Sequence, residues 1–256
     1  MTDPIGPGAA LAAPSVDLPV PAVALAIGAH PDDIEFGCGG TLAKWAAGGC
    51  RIHHLVCTDG AKGSWDPAQD PARLVSTRQE EQRLASRRLG GHGDVTFLGW
   101  PDGELESGLR QRGEVALCIR RVRPDVVLGH DPWKRYRLHP DHRHAGFLAT
   151  DGIVAARDPH FYPEQDEAPH RPDALLLWEA DEPDHVENIA GFEQRKLDAL
   201  LAHRSQFRST MHITDADEPD AEALSAFVAR LQSHHARAAT PAGLRTAESF
   251  KALRDL

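Results

Sequence analysis

Short, nearly continuous apolar runs alternate along the chain with longer segments whose apolar residues recur at helical spacing. Apolar runs of about four to eight residues are typical of strands buried in a sheet, whereas apolar residues three and four apart indicate a helix with one buried face. The predicted strands cover residues 22–28, 52–57, 94–98, 125–129 and 174–178. The predicted helices cover residues 41–47, 76–89, 113–123, 142–156, 192–206, 220–236 and 247–253. This alternation predicts an α/β fold with a mainly parallel sheet.

Two long polar stretches interrupt this pattern, at residues 61–75 and 157–173. Loops of this length are often lids or binding loops, and an ordinary mobile connection is the alternative. The first twenty residues are rich in Pro, Ala and Gly and lack the basic segment of a signal peptide. We therefore expect a disordered leader over residues 1–20 and a single domain over residues 21–256.

Composition and charge narrow the class of protein. The chain carries a formal net charge of −10 and is 41% apolar. This balance argues against nucleic acid or an anionic membrane as partner, because both favour a basic face. No apolar run approaches the roughly 20 residues that span a bilayer. The four cysteines form no CxxC pair, which predicts free thiols in the reducing cytoplasm.

Ionisable residues are concentrated directly after the first predicted strand, in the sequence Ala-His-Pro-Asp-Asp-Ile-Glu over residues 29–35. Ligands bind at the carboxyl ends of the strands in open α/β sheets. His30 and Asp33 are three residues apart, so a tight turn can aim both at one point, with Asp32 beside them. This spacing predicts two metal ligands with a base next to them.

A second polar motif, His139-Pro140-Asp141-His142, follows the fourth predicted strand at the same edge of the sheet. If the two loops converge, one of its histidines completes a set of two histidines and one carboxylate. Catalytic zinc uses three protein ligands and leaves a position open for water. The competing interpretation is that the aspartates of the first motif cap a helix and that these histidines lie on the surface.

Such a site has a clear chemical use. Zinc lowers the pKa of bound water from about 15.7 to about 7. This shift lowers the free energy of forming hydroxide by on the order of 12 kcal/mol. Asp32 can accept the proton of that water, and His139 can stabilise the oxyanion or protonate the leaving amine. Asp141 can hold His139 in one tautomer and keep it charged.

These motifs resemble those of the PIG-L/LmbE family of zinc-dependent de-N-acetylases. The resemblance covers most of residues 22–252 and includes further motifs. They are Gly37-x-Gly39-Gly40-Thr41, Arg78-x-x-Glu81-x-x-x-Ala85-x-x-x-Leu89-Gly90, Phe97-Leu98 through Pro101-Asp102-Gly103, Lys196-x-x-Ala199-x-x-x-His203-x-Ser205-Gln206 and Ala247-Glu248-Ser249-Phe250.

The resemblance implies a Rossmann-like fold and a zinc-dependent hydrolase that removes the acetyl group from a small-molecule N-acetylglucosamine-type conjugate. Another divalent transition metal remains an alternative to zinc, and a homo-oligomer is an open alternative to a monomer. The resemblance also assigns roles to individual residues: His30, Asp33 and His142 as zinc ligands, Asp32 as general base, His139 as acid or electrostatic stabiliser, and Arg78 and Asp102 as contacts to the substrate.

The chain departs from the family at one position. Some relatives place a Tyr two residues before the first histidine of the second motif, where it helps to stabilise the oxyanion. Arg137 stands there in this chain, with Tyr136 one residue earlier. An arginine could serve as a cation in that role.

Other functions compete with this interpretation. An amidase acting on a non-sugar amide or a thiol conjugate would use the same zinc site. A non-haem iron oxygenase also uses two histidines and one carboxylate, but usually in an all-β barrel. A nucleotide-binding module is disfavoured because Leu42 stands where G-x-G-x-x-G requires a glycine. A non-catalytic binding protein is disfavoured because every expected ligand and base is present.

Overall fold

The computed structural model describes residues 13–92, 94–213 and 220–256. Its strands are β1 (Ser15–Val16), β2 (Val23–Gly28), β3 (Arg51–Thr58), β4 (Val95–Trp100), β5 (Val126–His130), β6 (Ala174–Trp178), β7 (His185–Asn188) and β8 (Ala247–Arg254). Its α-helices are α1 (Asp33–Ala47), α2 (Pro71–Arg88), α3 (Leu109–Val122), α4 (Pro140–Arg157), α5 (Glu193–Leu200) and α6 (Ala221–Ala239).

The described strands form one sheet in the order β1-β7-β8-β6-β5-β2-β3-β4. All pairs are parallel except those that β8 makes with β6 and β7. One hydrophobic layer joins the sheet to α1, α2 and α5, and another joins the opposite face to α3 and α4. The predicted Rossmann-like α/β fold is confirmed.

The order of the strands creates a crevice between β2 and β5. The chain leaves β2 toward β3 on one side and later returns to β5 on the other side. Loops that follow two such neighbouring strands diverge at their carboxyl ends, which is where open α/β sheets bind ligands. The motif at His30 follows β2, and the motif at His139 follows β5.

Helix α1 begins at Asp33, earlier than the predicted start at Thr41. It consists of two helical segments joined by a kink at Cys38, where φ is −147° and ψ is 19°. Beyond the kink, the carboxylate of Glu248 accepts hydrogen bonds from the backbone N–H of Thr41 (2.8 Å) and from its hydroxyl (2.6 Å). The Lys196 ammonium donates to Glu248 (2.6 Å) and to the carbonyl of Phe36 (2.8 Å). The buried ion pair thus satisfies backbone groups that the kink leaves free, and the predicted start at Thr41 marks the second half of the helix.

The prediction of a last helix over residues 247–253 is wrong. This segment is strand β8, which lies between β6 and β7 and pairs Phe250 with both Trp178 and His185. The Phe250 side chain is fully buried. Backbone hydrogen bonding on two sides and burial in the core outweigh the local sequence preference.

Several other element ends are shifted from the prediction. Helix α2 begins at Pro71, where the Asp70 carboxylate accepts a hydrogen bond from the backbone N–H of Ala72 (3.0 Å), so the predicted loop over 61–75 is shorter. The predicted helix over 192–206 ends at Leu200 and is followed by a 3₁₀ turn (Arg204–Gln206) and a wider π-helical turn (Phe207–Met211).

The predicted leader is partly ordered. Residues 1–12 lie outside the described residues, but Ser15 and Val16 form strand β1 against β7. The carboxylate of Asp17 then accepts hydrogen bonds from Lys44 (2.8 Å) and from the backbone N–H of Asn188 (2.8 Å). The prediction of disorder is therefore wrong for this part of the leader.

Two further findings concern the chain as a whole. Within the described ranges, no helix combines the length and the apolar character that a membrane span requires. The four cysteines, at positions 38, 50, 57 and 118, are buried and free.

Candidate metal centre and active site

The three residues predicted as metal ligands lie together in the crevice between β2 and β5. Nδ1 of His30 is 3.3 Å from Oδ2 of Asp33, and Nε2 of His142 is 3.3 Å from Oδ1 of Asp33. One ligand atom from each residue lies within 4.8 Å of the other two. Two imidazole nitrogens and one carboxylate oxygen at a single point form a donor set that suits a catalytic zinc ion.

Two carboxylates hold the far side of the His30 ring. Nε2 lies 3.1 Å from Oδ2 of Asp141 and 3.2 Å from Oδ1 of Asp102. Burial lowers the pKa of His30, but its hydrogen bonds to Asp102, Asp141 and Asp33 outweigh burial and hold this pKa well above the usual value. Because both partners of Nε2 are acceptors, this nitrogen carries a proton, and loss of the proton on Nδ1 leaves that atom available to a metal.

Asp141 contacts the site differently from the prediction. Its buried carboxylate accepts hydrogen bonds from the backbone N–H groups of Gly103 (2.6 Å) and Leu105 (3.2 Å), besides its contact with His30. Toward His139 it is the backbone N–H of Asp141 that donates, to Nδ1, over 3.3 Å. The backbone of Asp141, and not its carboxylate, therefore sets the tautomer of His139.

His139 is the N-cap of helix α4 and lies beside the ligand His142, with ring centroids 4.9 Å apart. Burial and the charges of His30 and His142 lower the pKa of His139. Because Nδ1 is an acceptor, the neutral ring carries its proton on Nε2. The lowered pKa favours a neutral His139 ring that donates from Nε2 over the charged group predicted from the sequence.

Asp32 is buried, and its backbone is held in the left-handed region with φ at 107°. A non-glycine residue in this conformation is strained, and such strain is concentrated at functional sites. Burial raises the pKa of Asp32 to about 6, against the opposing effect of the Arg78 guanidinium 3.7 Å away. The carboxylate therefore titrates close to neutral pH.

The two residues predicted to contact substrate are buried beside this centre. Arg78 is 3% exposed and donates to the backbone carbonyls of Gly60 (2.9 Å) and Pro31 (2.6 Å). Asp102 is 5% exposed and accepts a hydrogen bond from the backbone N–H of Lys62 (3.0 Å) besides facing His30. These contacts support a role for both residues in holding Asp32 and His30.

His130 was not predicted from the sequence, yet it contacts the proposed ligands. It is the last residue of β5, its Nε2 lies 3.2 Å from Oδ2 of Asp33, and its ring stacks on His142 at a centroid distance of 4.4 Å. The rule that singled out His30 could have found it, because His130 also ends an apolar run at the same edge of the sheet.

A buried polar network supports the other side of the first motif. Glu35 is fully buried and accepts hydrogen bonds from Nε2 of Gln82 (2.8 Å), while Nε2 of His203 lies 3.2 Å from its other oxygen. Oε1 of Gln82 in turn accepts a hydrogen bond from the backbone N–H of Asp32 (3.0 Å). No pattern in the sequence identifies Gln82 as part of the site, because its role depends on helix α2 lying against the loop after β2.

Arg137 lies behind His142. Its Nη1 atom is 2.7 Å from Oε2 of Glu179 and 3.4 Å from Nδ1 of His142, on the opposite side of that ring from Asp33. The Arg137 side chain is 5% exposed, whereas Tyr136 is 88% exposed. Arg137 is therefore placed to act on His142 and not on an oxyanion held at the metal.

A cavity of about 580 Å³ opens from Asp32, Asp33 and His142 toward helix α6. Its wall includes apolar and cationic side chains, among them Phe36, Lys134, Trp178, Phe227, Arg230 and Leu231. The loops at 61–75 and 157–173 supply none of its described lining residues. A group attached to the reacting part of a substrate would face α6.

Comparison with known proteins identifies the family to which the chain belongs. A family model described as GlcNAc-PI de-N-acetylase, PIG-L, matches residues 25–153. A diacetylchitobiose deacetylase of Thermococcus kodakarensis is 32% identical over 213 residues, which is 82% of this chain and 79% of the relative. A 1D-myo-inositol 2-acetamido-2-deoxy-alpha-D-glucopyranoside deacetylase of Streptomyces avermitilis is 31% identical over 167 residues, 55% of each chain.

Among solved structures, an N,N'-diacetylchitobiose deacetylase from Pyrococcus horikoshii superposes with a TM-score of 0.82 and 27% identity, covering 91% of this chain and 84% of that one. The match to the family model begins within β2 and ends within α4, so it includes both motifs of the crevice. The chain belongs to the PIG-L family of de-N-acetylases.

Proposed function

We propose that this protein is a zinc-dependent de-N-acetylase that hydrolyses the acetamide of an N-acetylglucosamine-type conjugate. The observation that carries the proposal is the convergence of His30, Asp33 and His142 on one point, with the buried carboxylate of Asp32 beside it. Family membership supports the reaction class, and the names of the relatives support the amino-sugar substrate.

The metal is the first part of the proposal. His30, Asp33 and His142 would hold it, and the hydrogen bonds from His30 to Asp102 and Asp141 have the form that orients metal-binding histidines. Zinc held there supplies Lewis acidity, which polarises a carbonyl and makes water acidic near neutral pH. The same donor set accommodates iron(II), so metal content must be measured directly.

Asp32 is proposed as the general base. Its carboxylate lines the cavity next to the ligands, and burial brings its pKa to about 6. A base with a pKa near the working pH is ionised enough to be ready and basic enough to remove a proton. Asp32 takes the proton of the attacking water and returns it to the amide nitrogen as the C–N bond breaks.

His139 is proposed as the electrostatic stabiliser. The backbone N–H of Asp141 occupies Nδ1, so the Nε2–H group is the donor that the ring can offer. A neutral donor aimed at the carbonyl oxygen stabilises negative charge that develops in the transition state. This role needs no proton transfer from His139.

The cavity supports a conjugate over a free monosaccharide as substrate. It continues from the proposed centre past Trp178 and Phe227 to Arg230 on α6. Aromatic faces and a cation there can contact a second sugar or another group on the conjugate. We further infer one catalytic domain that comprises residues 21–256 together with strand β1 (Ser15–Val16), working in the cytoplasm, where buried free cysteines remain reduced.

A substrate panel tests this proposal. The zinc-loaded protein is incubated with free N-acetylglucosamine, N,N'-diacetylchitobiose and an N-acetylglucosaminyl-inositol, and release of primary amine is measured. We expect at least one conjugate to exceed the free sugar about tenfold in kcat/KM. Equal rates would contradict the role of the α6 wall. Turnover only of non-sugar acetamides, such as N-acetylcysteine conjugates, would contradict the sugar assignment while keeping the hydrolase.

A further inference from the structure

His130 is fixed at both nitrogens of its ring. It ends strand β5, and its partner in the sheet register is Trp178 at the end of β6. Nε1 of Trp178 lies 3.0 Å from Nδ1 of His130, and Nε2 of His130 lies 3.2 Å from Oδ2 of Asp33. Both residues are 2% exposed, at the base of the cavity that they help to line.

The direction of each hydrogen bond follows from the chemistry of the partners. An indole N–H can only donate, so Nδ1 of His130 must be the acceptor in the contact with Trp178. The other polar neighbour within 3.5 Å of Nδ1 among the described residues, Nη1 of Arg137 at 3.3 Å, is also only a donor. The nearest carboxylate, that of Glu179, is 3.6 Å from Nδ1 and is already bonded to Arg137.

Because Nδ1 of His130 accepts from the indole, the proton that this ring directs at Asp33 is on Nε2. Oδ2 of Asp33 also accepts a hydrogen bond from the backbone N–H of His30 (2.7 Å). Two donors thus fix the rotation of this carboxylate. Oδ1, whose contact among the described side chains is Nε2 of His142 at 3.3 Å, is left for a further ligand.

We propose that His130, held in one tautomer by the Trp178 indole, is a positioning residue that orients the Asp33 carboxylate for metal binding. The inference rests on the proposed metal centre at His30, Asp33 and His142. Hydrogen bonds from outside the ligand set fix the orientation of ligands, and their loss typically weakens metal affinity by about 10–100-fold. Trp178 also lines the cavity, so zinc affinity, which is measured without substrate, is the readout that separates this role from a substrate contact.

The main test measures zinc affinity by competition with a chromophoric chelator. His130→Phe keeps a planar ring but removes both hydrogen bonds, and we expect its zinc Kd to rise about 10–100-fold. Trp178→Phe removes only the indole donor, so its effect should be smaller. Unchanged zinc affinity in folded His130→Phe overturns the proposal.

Matched controls separate this effect from general damage to the core. Trp45→Phe alters a buried tryptophan whose indole nitrogen has no hydrogen-bond partner among the described residues. His235→Phe alters a buried histidine on α6 whose Nε2 also lacks one. Both controls should bind zinc as the unaltered protein does. Equal losses in the controls overturn the proposal.

A spectroscopic test covers the case in which His130→Phe fails to fold. Long-range ¹⁵N–¹H NMR of the zinc-loaded protein at pH 7 distinguishes a ring protonated at Nε2 from one protonated at Nδ1 or at both nitrogens. We expect the Nε2-protonated form in the unaltered protein and a mixture in Trp178→Phe. A ring protonated at Nδ1 or at both nitrogens overturns the proposal. Failure of the unaltered protein to bind zinc would instead contradict the proposed function.

Discussion

Nε2 of His30 lies 3.1 Å from the carboxylate of Asp141, a residue that belongs to the second motif of the crevice. The two motifs are therefore linked by more than a shared metal site. Asp141 is fully buried, and two backbone N–H groups of the loop after β4 fix its orientation. It holds the His30 ring in the position from which Nδ1 faces Asp33.

Asp141→Asn should weaken zinc binding by about 10–100-fold, because the neutral amide is a poorer acceptor for the N–H of His30. Zinc affinity measured by competition checks this prediction. Asp125→Asn is the matched control, because Asp125 also accepts two backbone N–H bonds, from Ala22 (2.7 Å) and Val23 (3.0 Å), at the other end of the sheet. Similar zinc losses in both variants would refute a specific link to His30.

Asp32→Asn should lower kcat by about 10²–10⁴-fold, because an amide cannot take a proton from water. Zinc content, measured by mass spectrometry, should stay at the level of the unaltered protein, since Asp32 is not a proposed ligand. Asp131→Asn offers a control, because Asp131 is a buried carboxylate that caps the backbone of Trp133 (2.9 Å). Retention of more than a tenth of kcat in Asp32→Asn would argue against its role as base.

Arg78→Met should lower the free energy of unfolding by about 1–3 kcal/mol, because the buried carbonyls of Gly60 and Pro31 lose a charged donor. Urea unfolding checks the change. Arg87→Met, at an exposed position of the same helix, should change the free energy by less than about 0.5 kcal/mol. A stable Arg78→Met with only a raised KM would favour the substrate contact predicted from the sequence.

His235 should make the protein less stable as pH falls from about 6.5 to about 4. Burial, with the nearby Lys196 charge, lowers the pKa of His235 to about 4 in the folded protein. The unfolded chain, with a histidine pKa near 6.5, then binds more protons than the folded chain in this window, so acid favours unfolding.

Urea unfolding of the unaltered protein and His235→Phe at pH 7.5 and pH 5 isolates this effect. The free energy of unfolding of the unaltered protein, relative to that of the variant, should decrease when the pH is lowered from 7.5 to 5. A difference that stays constant with pH would show that His235 titrates alike in both states.

The strands that carry the site were predictable because their signal is local. Residues 22–28 and 174–178 are apolar runs buried on both faces of the sheet, and the structure places β2 and β6 there. Residues 247–253 were predicted as a helix because their strand conformation depends on β6 and β7, which lie far away in sequence. A strand inserted between two others is specified by its neighbours more than by its own residues.

The residues of the candidate site also differ in whether local sequence or distant contacts determine their roles. His30, Asp33 and His142 could be predicted because spacing after a strand and the resemblance both point to them. The role of His130 depends on Trp178, which is 48 positions away, and on the rotation of one carboxylate. The lowered pKa of His139 follows from its burial and from the charges of His30 and His142 around it, which spacing along the chain does not reveal.

The most direct test of metal-dependent deacetylation is product stoichiometry. Protein stripped with a chelator, and the same protein reloaded with one equivalent of zinc, are each given N,N'-diacetylchitobiose, and acetate and primary amine are both quantified. The zinc-loaded protein should release acetate and amine in equal amounts, and the stripped protein should release neither above background. Equal rates from the stripped and the reloaded protein would contradict a metal centre at His30, Asp33 and His142.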